Sequence, residues 1–320
     1  MPHCLPNRFF RDACPQHETR IITTDEIKPA ILWESGVVVF EAWKKVLLEA
    51  PERCIEVREG HGQDSGPFPQ TFDVFLLGSP RVVSLWEKFV QSPVSRLTRS
   101  SPIVESAVAR NEYIFLPKGP RPPVPVPRNP YDRMLAMHVR RGDYSSSCSH
   151  YAKWSSTFFG WNQLEFLPDH FVPPEGSSWG ENTPENTEIY LRKCLPSIEQ
   201  MVARTRQIRQ EYSHTKNGTR LDVLYLLTNE KGEWLDELRK AMTNEGFATI
   251  RTSRDLQLDQ EQMEVNGAVD SEIARRAAVF IGNGVSTLFF GCSPVLTISP
   301  VVVIHEQYSA RTARGWKGSP

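Results

Sequence analysis

The sequence predicts an α/β fold in two parts, on three observations. Past residue 131, short apolar runs alternate with longer amphipathic ones, the pattern of strand–helix–strand units and a parallel sheet. Between Pro117 and Pro130, PKGPRPPVPVPRNP places seven prolines in fourteen residues, which reads as extended polyproline and a semi-rigid connection. The 320 residues are about twice the common domain length of about 150, enough for two domains or one large α/β unit. The expected division is an N-terminal domain over 1–116, a linker over 117–130 and a C-terminal domain over 131–320.

Composition narrows the class. The 37 Lys and Arg balance 38 Asp and Glu, a formal charge of −1, which removes the broad basic field of a duplex-binding protein. Six cysteines are too sparse for a disulfide scaffold, and without a C-x-x-C pair or an H-x3-H they give a structural zinc site no support. The opening MPHCLPNRFFRDAC holds no apolar run of signal-peptide length. The uncharged stretch Ala277 to Ile304 fails as a membrane span, because Gly282, Asn283, Gly284, Gly291, Pro294 and Pro300 interrupt it. A buried strand, a glycine turn, a short helix and another strand fit it better.

In chain order, a helix is expected from Val37 to Glu49, stopped by Pro51, then a strand from Val74 to Leu77. Ser79-Pro80 and Ser101-Pro102 pair an N-cap residue with a first-turn proline, so each should open a helix. After the linker the strands are Met134–Val139, Val223–Leu227, Ala248–Ile250, Val279–Ile281 and Val301–Ile304. The helices between them fall within Thr187–Gln210, broken near Pro196, then at Glu233–Met242 and Ser271–Ala277.

Two segments carry chemistry. In MLAMHVRRGDY, Met134 to Tyr144, an apolar run ends in two arginines and an aspartate where the strand leaves the sheet. Alternation puts His138 and Arg140 on one side and turns Val139 into the packing. The carboxyl ends of parallel strands are where such sheets bind ligands, and the planar guanidinium suits a diphosphate. Ordinary ion pairing at a strand end is the competing reading, and an exposed Arg141-Gly142-Asp143 adhesion tripeptide a weaker one. In VFIGNGVSTLFF, Val279 to Phe290, a strand, two glycines and Ser286-Thr287 lead into an apolar segment. Such a turn can present backbone N–H groups and hydroxyls to an anion, or Ser286 or Thr287 can simply cap the helix. Neither a P-loop nor a G-x-G-x-x-G is present, which leaves P-loop ATPases and dinucleotide dehydrogenases unsupported.

Taken together, HVRRGD at His138 to Asp143 resembles the H-x-R-R-x-D signature of the GDP-fucose fucosyltransferases, which include protein O-fucosyltransferases and α1,6-fucosyltransferases. Asp270-Ser-Glu-Ile with the Ala277 to Thr287 turn is similar to the late motif of that family, and LYLLTNE, Leu224 to Glu230, to its intervening strand. The likeness covers roughly residues 131 to 290. It implies a GT-B-like fold of two Rossmann-like domains, the first incomplete. It also implies inverting transfer of fucose from GDP-fucose to a protein or glycan hydroxyl, with no metal or other cofactor. Arg140 would grip the diphosphate and stabilise the leaving GDP. His138 would contact the nucleoside, Asp270 the guanine or ribose, Ser286 and Thr287 the phosphate oxygens, and Leu288 and Phe289 would add backbone N–H groups or packing. Arg141 and Asp143 would orient this shell or touch the sugar. Asp143, His150 and Glu230 are the candidates for general base.

The chain departs from that family at two places. Thr228-Asn229-Glu230 stands where a Thr-Asp pair is expected, so an acidic role there passes to Glu230 or is lost. No apolar strand followed by a glycine-rich G-x-x-N-Q/R loop precedes Val37. The expectation is therefore a piece of a longer protein, secretory if an upstream signal or anchor exists and cytoplasmic otherwise. A catalytically silent GDP-sugar-binding or scaffold protein is the alternative. Under the secretory reading Asn217-Gly-Thr219 is a glycosylation sequon, and Cys148 and Cys194 either pair or remain buried thiols.

Overall fold

The computed structural model describes residues 13–60, 72, 75–116, 129–157, 160–166, 171–176, 180–215, 220–282 and 302–304. The chain divides into two compact units, Met1–Lys88 and Phe89–Pro320. That division precedes the expected boundary at 116, because the helix Pro102–Asn111 places Val104, Ala107 and Val108 in the core of the second unit. The proline run at 117–128 and the sequon at 217–219 lie outside the described residues.

In the first unit, strand β1 (Thr19–Thr23) and strand β2 (Cys54–Arg58) pair in parallel, joined across helix α1 (Gly36–Glu49). Sequence patterning missed both strands, since each leaves much of its length exposed and neither reads as an apolar run. A strand therefore does precede Val37, but a short helix, Thr24–Ile27, follows it rather than a glycine-rich loop. Cys14 and Cys54 form a disulfide that ties the entry of β1 to β2. Phe75 to Leu77, expected as a strand, form turns. The Ser79 hydroxyl donates back to the Leu76 carbonyl instead of capping, and the following segment opens as a 3-10 helix, Pro80–Leu85, before the helix Trp86–Gln91.

The second unit is an α/β layer structure. Helix α2 (Pro102–Asn111) starts as expected, with the Ser101 hydroxyl accepting from the Val104 N–H. Then come strand β3 (Met134–Val139), helix α3 (Ser145–Lys153), and helices α4 (Pro184–Cys194) and α5 (Ile198–Thr215), separated at Pro196 as the sequence indicated. Strand β4 (Val223–Thr228), helix α6 (Glu233–Asn244), strand β5 (Thr249–Thr252), helix α7 (Asn266–Arg276), strand β6 (Val279–Ile281) and strand β7 (Val302–Ile304) complete it.

The sheet order is β5-β4-β3-β6-β7, parallel through β6, with β7 antiparallel on the edge. An edge strand pairs on one side only, so it can run in either direction without a crossover helix. All six residues of β3 are buried, which is why they read, His138 apart, as an apolar run. The period of two splits the core. Met134, Ala136, Tyr225 and Phe280 pack against Val108 of α2 and Ile273 of α7. Leu135, Met137, Leu224 and Leu226 pack against Ile208 of α5 and Leu238 of α6.

A buried carboxylate network locks α2 to α7. Glu272, 4% exposed, accepts from Arg275, Arg276 and Ser100, and Arg276 also reaches Glu105. Burial works against the charged form of Glu272, but these donors prevail and hold its carboxyl at about 2.

Candidate functional site

The sheet connections fix where a ligand can sit. From β3 the chain moves through β4 to β5 on one side, then returns to place β6 on the other side of β3. The carboxyl ends of β3 and β6 therefore flank a topological switch point, the usual crevice for ligands in open parallel sheets. A cavity of about 330 Å³ lies there. Met137, His138 and Val139 of β3 and Ile281 and Gly282 at the end of β6 form one part of its lining. Arg192, Lys193, Pro196, Gln200, Met201 and Arg204, from α4, α5 and the junction between them, form the rest.

Register places the residues that follow β3 and β4. Val139 pairs with Thr228, so Arg140 and Asn229 leave the sheet side by side. Gly142 has a φ of +56°, a left-handed turn that favours glycine and folds the chain back so that Asp143 meets Arg140. The Arg140 guanidinium donates to Asp143 Oδ2 at 2.8 Å and stands over the Tyr144 ring, 4.8 Å from its centre. Asn229 Nδ2 donates to the other carboxylate oxygen at 2.9 Å, while Asn229 Oδ1 accepts from the Arg141 N–H at 3.3 Å. These contacts hold Asp143 below the usual carboxylate range, chiefly through its bond to Arg140, and keep Arg140 charged. A carboxylate at position 229 could not donate to Asp143, so the Asn229 amide completes this clamp.

Arg141 turns the other way. Its guanidinium donates to the Pro196 carbonyl at 2.8 Å and lies 4.7 Å from the centre of the Trp234 ring, which pins the α4–α5 junction to the end of β3. The disulfide between Cys148 of α3 and Cys194 of α4 fixes the same wall from the far side, beside Phe171 and Tyr190. Pairing of these two cysteines was one of the two states open to them on sequence alone.

His138 is 7% exposed, and burial together with the nearby Arg140 charge lowers its imidazole to about 3, so it is neutral near pH 7. Asp270 on α7 accepts from the Tyr225 hydroxyl and is also bonded by Ser253. Burial outweighs these bonds and raises its carboxyl to about 6. Glu230 sits over the turn, with Oε1 3.5 Å from where a side chain on Gly142 would begin. His150 packs on α3 beside Trp154, ring centres 6.0 Å apart. Ser286, Thr287, Leu288 and Phe289 lie outside the described residues.

Sequence reasoning did not find Arg192, Lys193, Arg204 and Gln200. Their only signal was a basic pair in the last turn of a helix, which reads as ordinary complementation of the helix dipole. Among the described residues no group of three or more His, Cys, Asp or Glu could hold a metal ion, and no helix is long and apolar enough to cross a membrane.

The fold and site define an α/β protein with a cationic crevice at the carboxyl edge of a mainly parallel sheet. No protein-family model and no curated protein matches the chain.

Proposed function

We propose that this crevice binds GDP-fucose, and that the chain is an inverting, metal-independent fucosyltransferase with GT-B-like architecture that modifies a protein or glycan hydroxyl. The observation that carries the reading is Arg140, set by Asp143 and Asn229 at the switch-point end of β3. A fixed guanidinium at that position matches the family signature that His138 to Asp143 resembles. In the reaction the bond between fucose C1 and the GDP oxygen breaks as the acceptor oxygen attacks from the opposite face. Negative charge grows on the departing diphosphate, and Arg140 offsets it without reorganising, because its partners already hold it in place. The acceptor proton passes to a base. Ser286, Thr287 and Leu288 complete the phosphate shell on the same resemblance, and Asp270 the nucleoside contacts.

A second reading, a GDP-sugar-binding protein without transfer activity, is favoured by Asp143. Both of its carboxylate oxygens are committed, one to Arg140 and one to Asn229, which suits an orienting group better than a base.

Calorimetry with GDP and ADP tests the donor assignment. GDP should bind and ADP should bind more weakly; equal affinity, or none, overturns it. Arg140→Ala should abolish binding, and Arg140→Lys should recover only part, since an ammonium cannot reproduce the two-pronged contact. Release of GDP in the presence of acceptors separates the two readings.

A further inference from the structure

The ion pair of Arg140 with Asp143 is made through one guanidinium nitrogen, Nη2, between side chains that are 41% and 53% exposed. A solvated, single-pronged contact of this kind sets the position of a guanidinium more strongly than its plane. Tyr144 supplies the second constraint. Arg140 stands over its ring, with the guanidinium carbon 4.8 Å from the ring centre. An aromatic face engages the flat side of a guanidinium and leaves its N–H donors directed outward. The ring is itself held. The Tyr144 N–H donates to the Arg141 carbonyl at 3.2 Å, closing the turn that Gly142 makes, and Tyr144 then opens α3 as its N-cap residue. Its side chain packs against the small cluster of Cys148, Ala152, Phe171, Tyr190 and Cys194, which the Cys148–Cys194 bond closes. Tyr144 thus joins a partly exposed cation to a covalently tied, buried base. An arginine set in this way has part of its ordering cost met before a ligand arrives.

We infer that Tyr144 is a positioning residue for Arg140: its ring, seated on the disulfide-bonded cluster, sets the plane in which the arginine offers its donors to a phosphate. Tyr144 acts through Arg140 and is assigned no contact with the reacting atoms. The phosphate role rests on the transferase reading above; control of Arg140 by the ring does not. Leucine at this position can pack against the cluster but has no π face, whereas phenylalanine keeps both. The two substitutions therefore separate packing from positioning.

The test uses the full chain with isotope-labelled arginine. NMR follows the Arg140 side chain, assigned by the loss of its signals in Arg140→Lys, and calorimetry follows GDP. In the parent the Arg140 Hδ protons should show an upfield ring-current shift. Tyr144→Leu should remove that shift and lower GDP affinity roughly tenfold, the scale of one cation–π contact. Tyr144→Phe should keep the shift and recover most of the affinity. Circular dichroism and intact mass check the fold and the disulfide, and Tyr144→Met repeats the comparison with a side chain that adapts to irregular packing. Arg140 signals unmoved by loss of the ring, a parent GDP affinity unchanged by it, or a phenylalanine variant no better than the leucine one overturns the inference. A fall in GDP affinity with the Arg140 signals unmoved makes Tyr144 a packing residue only. If the parent binds no GDP while the Arg140 signals follow the ring as expected, the donor reading falls and the positioning of Arg140 by Tyr144 stands.

Discussion

Asp143 receives the Arg140 guanidinium on one carboxylate oxygen at 2.8 Å and the Asn229 amide on the other at 2.9 Å. Those two contacts come from different strand ends, and they turn a partly exposed arginine into a directed cation at the carboxyl end of β3.

If that clamp sets the arginine, removing it should weaken a phosphate ligand without removing the charge. Asp143→Asn should lower GDP affinity roughly tenfold, the scale of one misplaced charge-assisted hydrogen bond. Asn229→Asp should do the same by placing two carboxylates together. Calorimetric titration checks both, and unchanged affinity in the pair would show that Arg140 needs no support.

Two buried groups give opposing pH dependence. Asp270 moves from 3.8 to about 6 on folding, so between those values the folded chain binds the extra proton. Its contribution to stability is complete at low pH and is lost as pH rises through about 6. His138 moves from 6.5 to about 3, so the unfolded chain binds the extra proton. Its contribution is present above 6.5 and is lost as pH falls through about 3. Denaturant unfolding from about pH 4 to about pH 7 separates them. Asp270→Asn should gain stability relative to the parent as pH rises, and His138→Gln should gain relative to it as pH falls. Differences that do not vary with pH would contradict both assignments.

The Cys148–Cys194 bond closes a segment with a sequence separation of 46 residues, for which chain entropy gives up to about 4 kcal/mol. Replacing both cysteines by serine should cost about 2–4 kcal/mol of unfolding free energy. Amide exchange should quicken first in α3 and α4, because the small cluster around Phe171 and Tyr190 depends on that link. Intact mass before and after reduction with alkylation reads the bond itself.

The sheet face under α5 and α6 should be the less forgiving. Leu238 is fully buried against it, and Leu238→Ala should cost about 3–5 kcal/mol through lost transfer energy and an unfilled cavity. An exposed control such as Leu48→Ala, on a side chain 74% exposed, should change stability by no more than about 0.5 kcal/mol. Guanidinium titration of the two variants decides.

What the sequence determined by itself was the second unit's strand order and most of its helices; the polar run of α3, Ser145–Lys153, gave no helix signal. Strands buried on both faces must be continuously apolar, so Met134–Val139 and Val279–Ile281 were legible to the residue. Pro196 had to separate two helices, because it cannot continue one. The half-exposed strands Thr19–Thr23 and Cys54–Arg58 were not legible, since pairing rather than composition makes them strands. HVRRGD marked the end of β3 as a candidate site, but its geometry depends on register. Only the pairing of Val139 with Thr228 brings Asn229 to Asp143, and only the crossing from β5 back to β6 puts a cavity beside them. Arg192, Lys193 and Arg204 reach that cavity through helix packing between residues more than fifty positions from Arg140 in sequence. Local pattern carries no information about such contacts, because they are set by which faces the core buries.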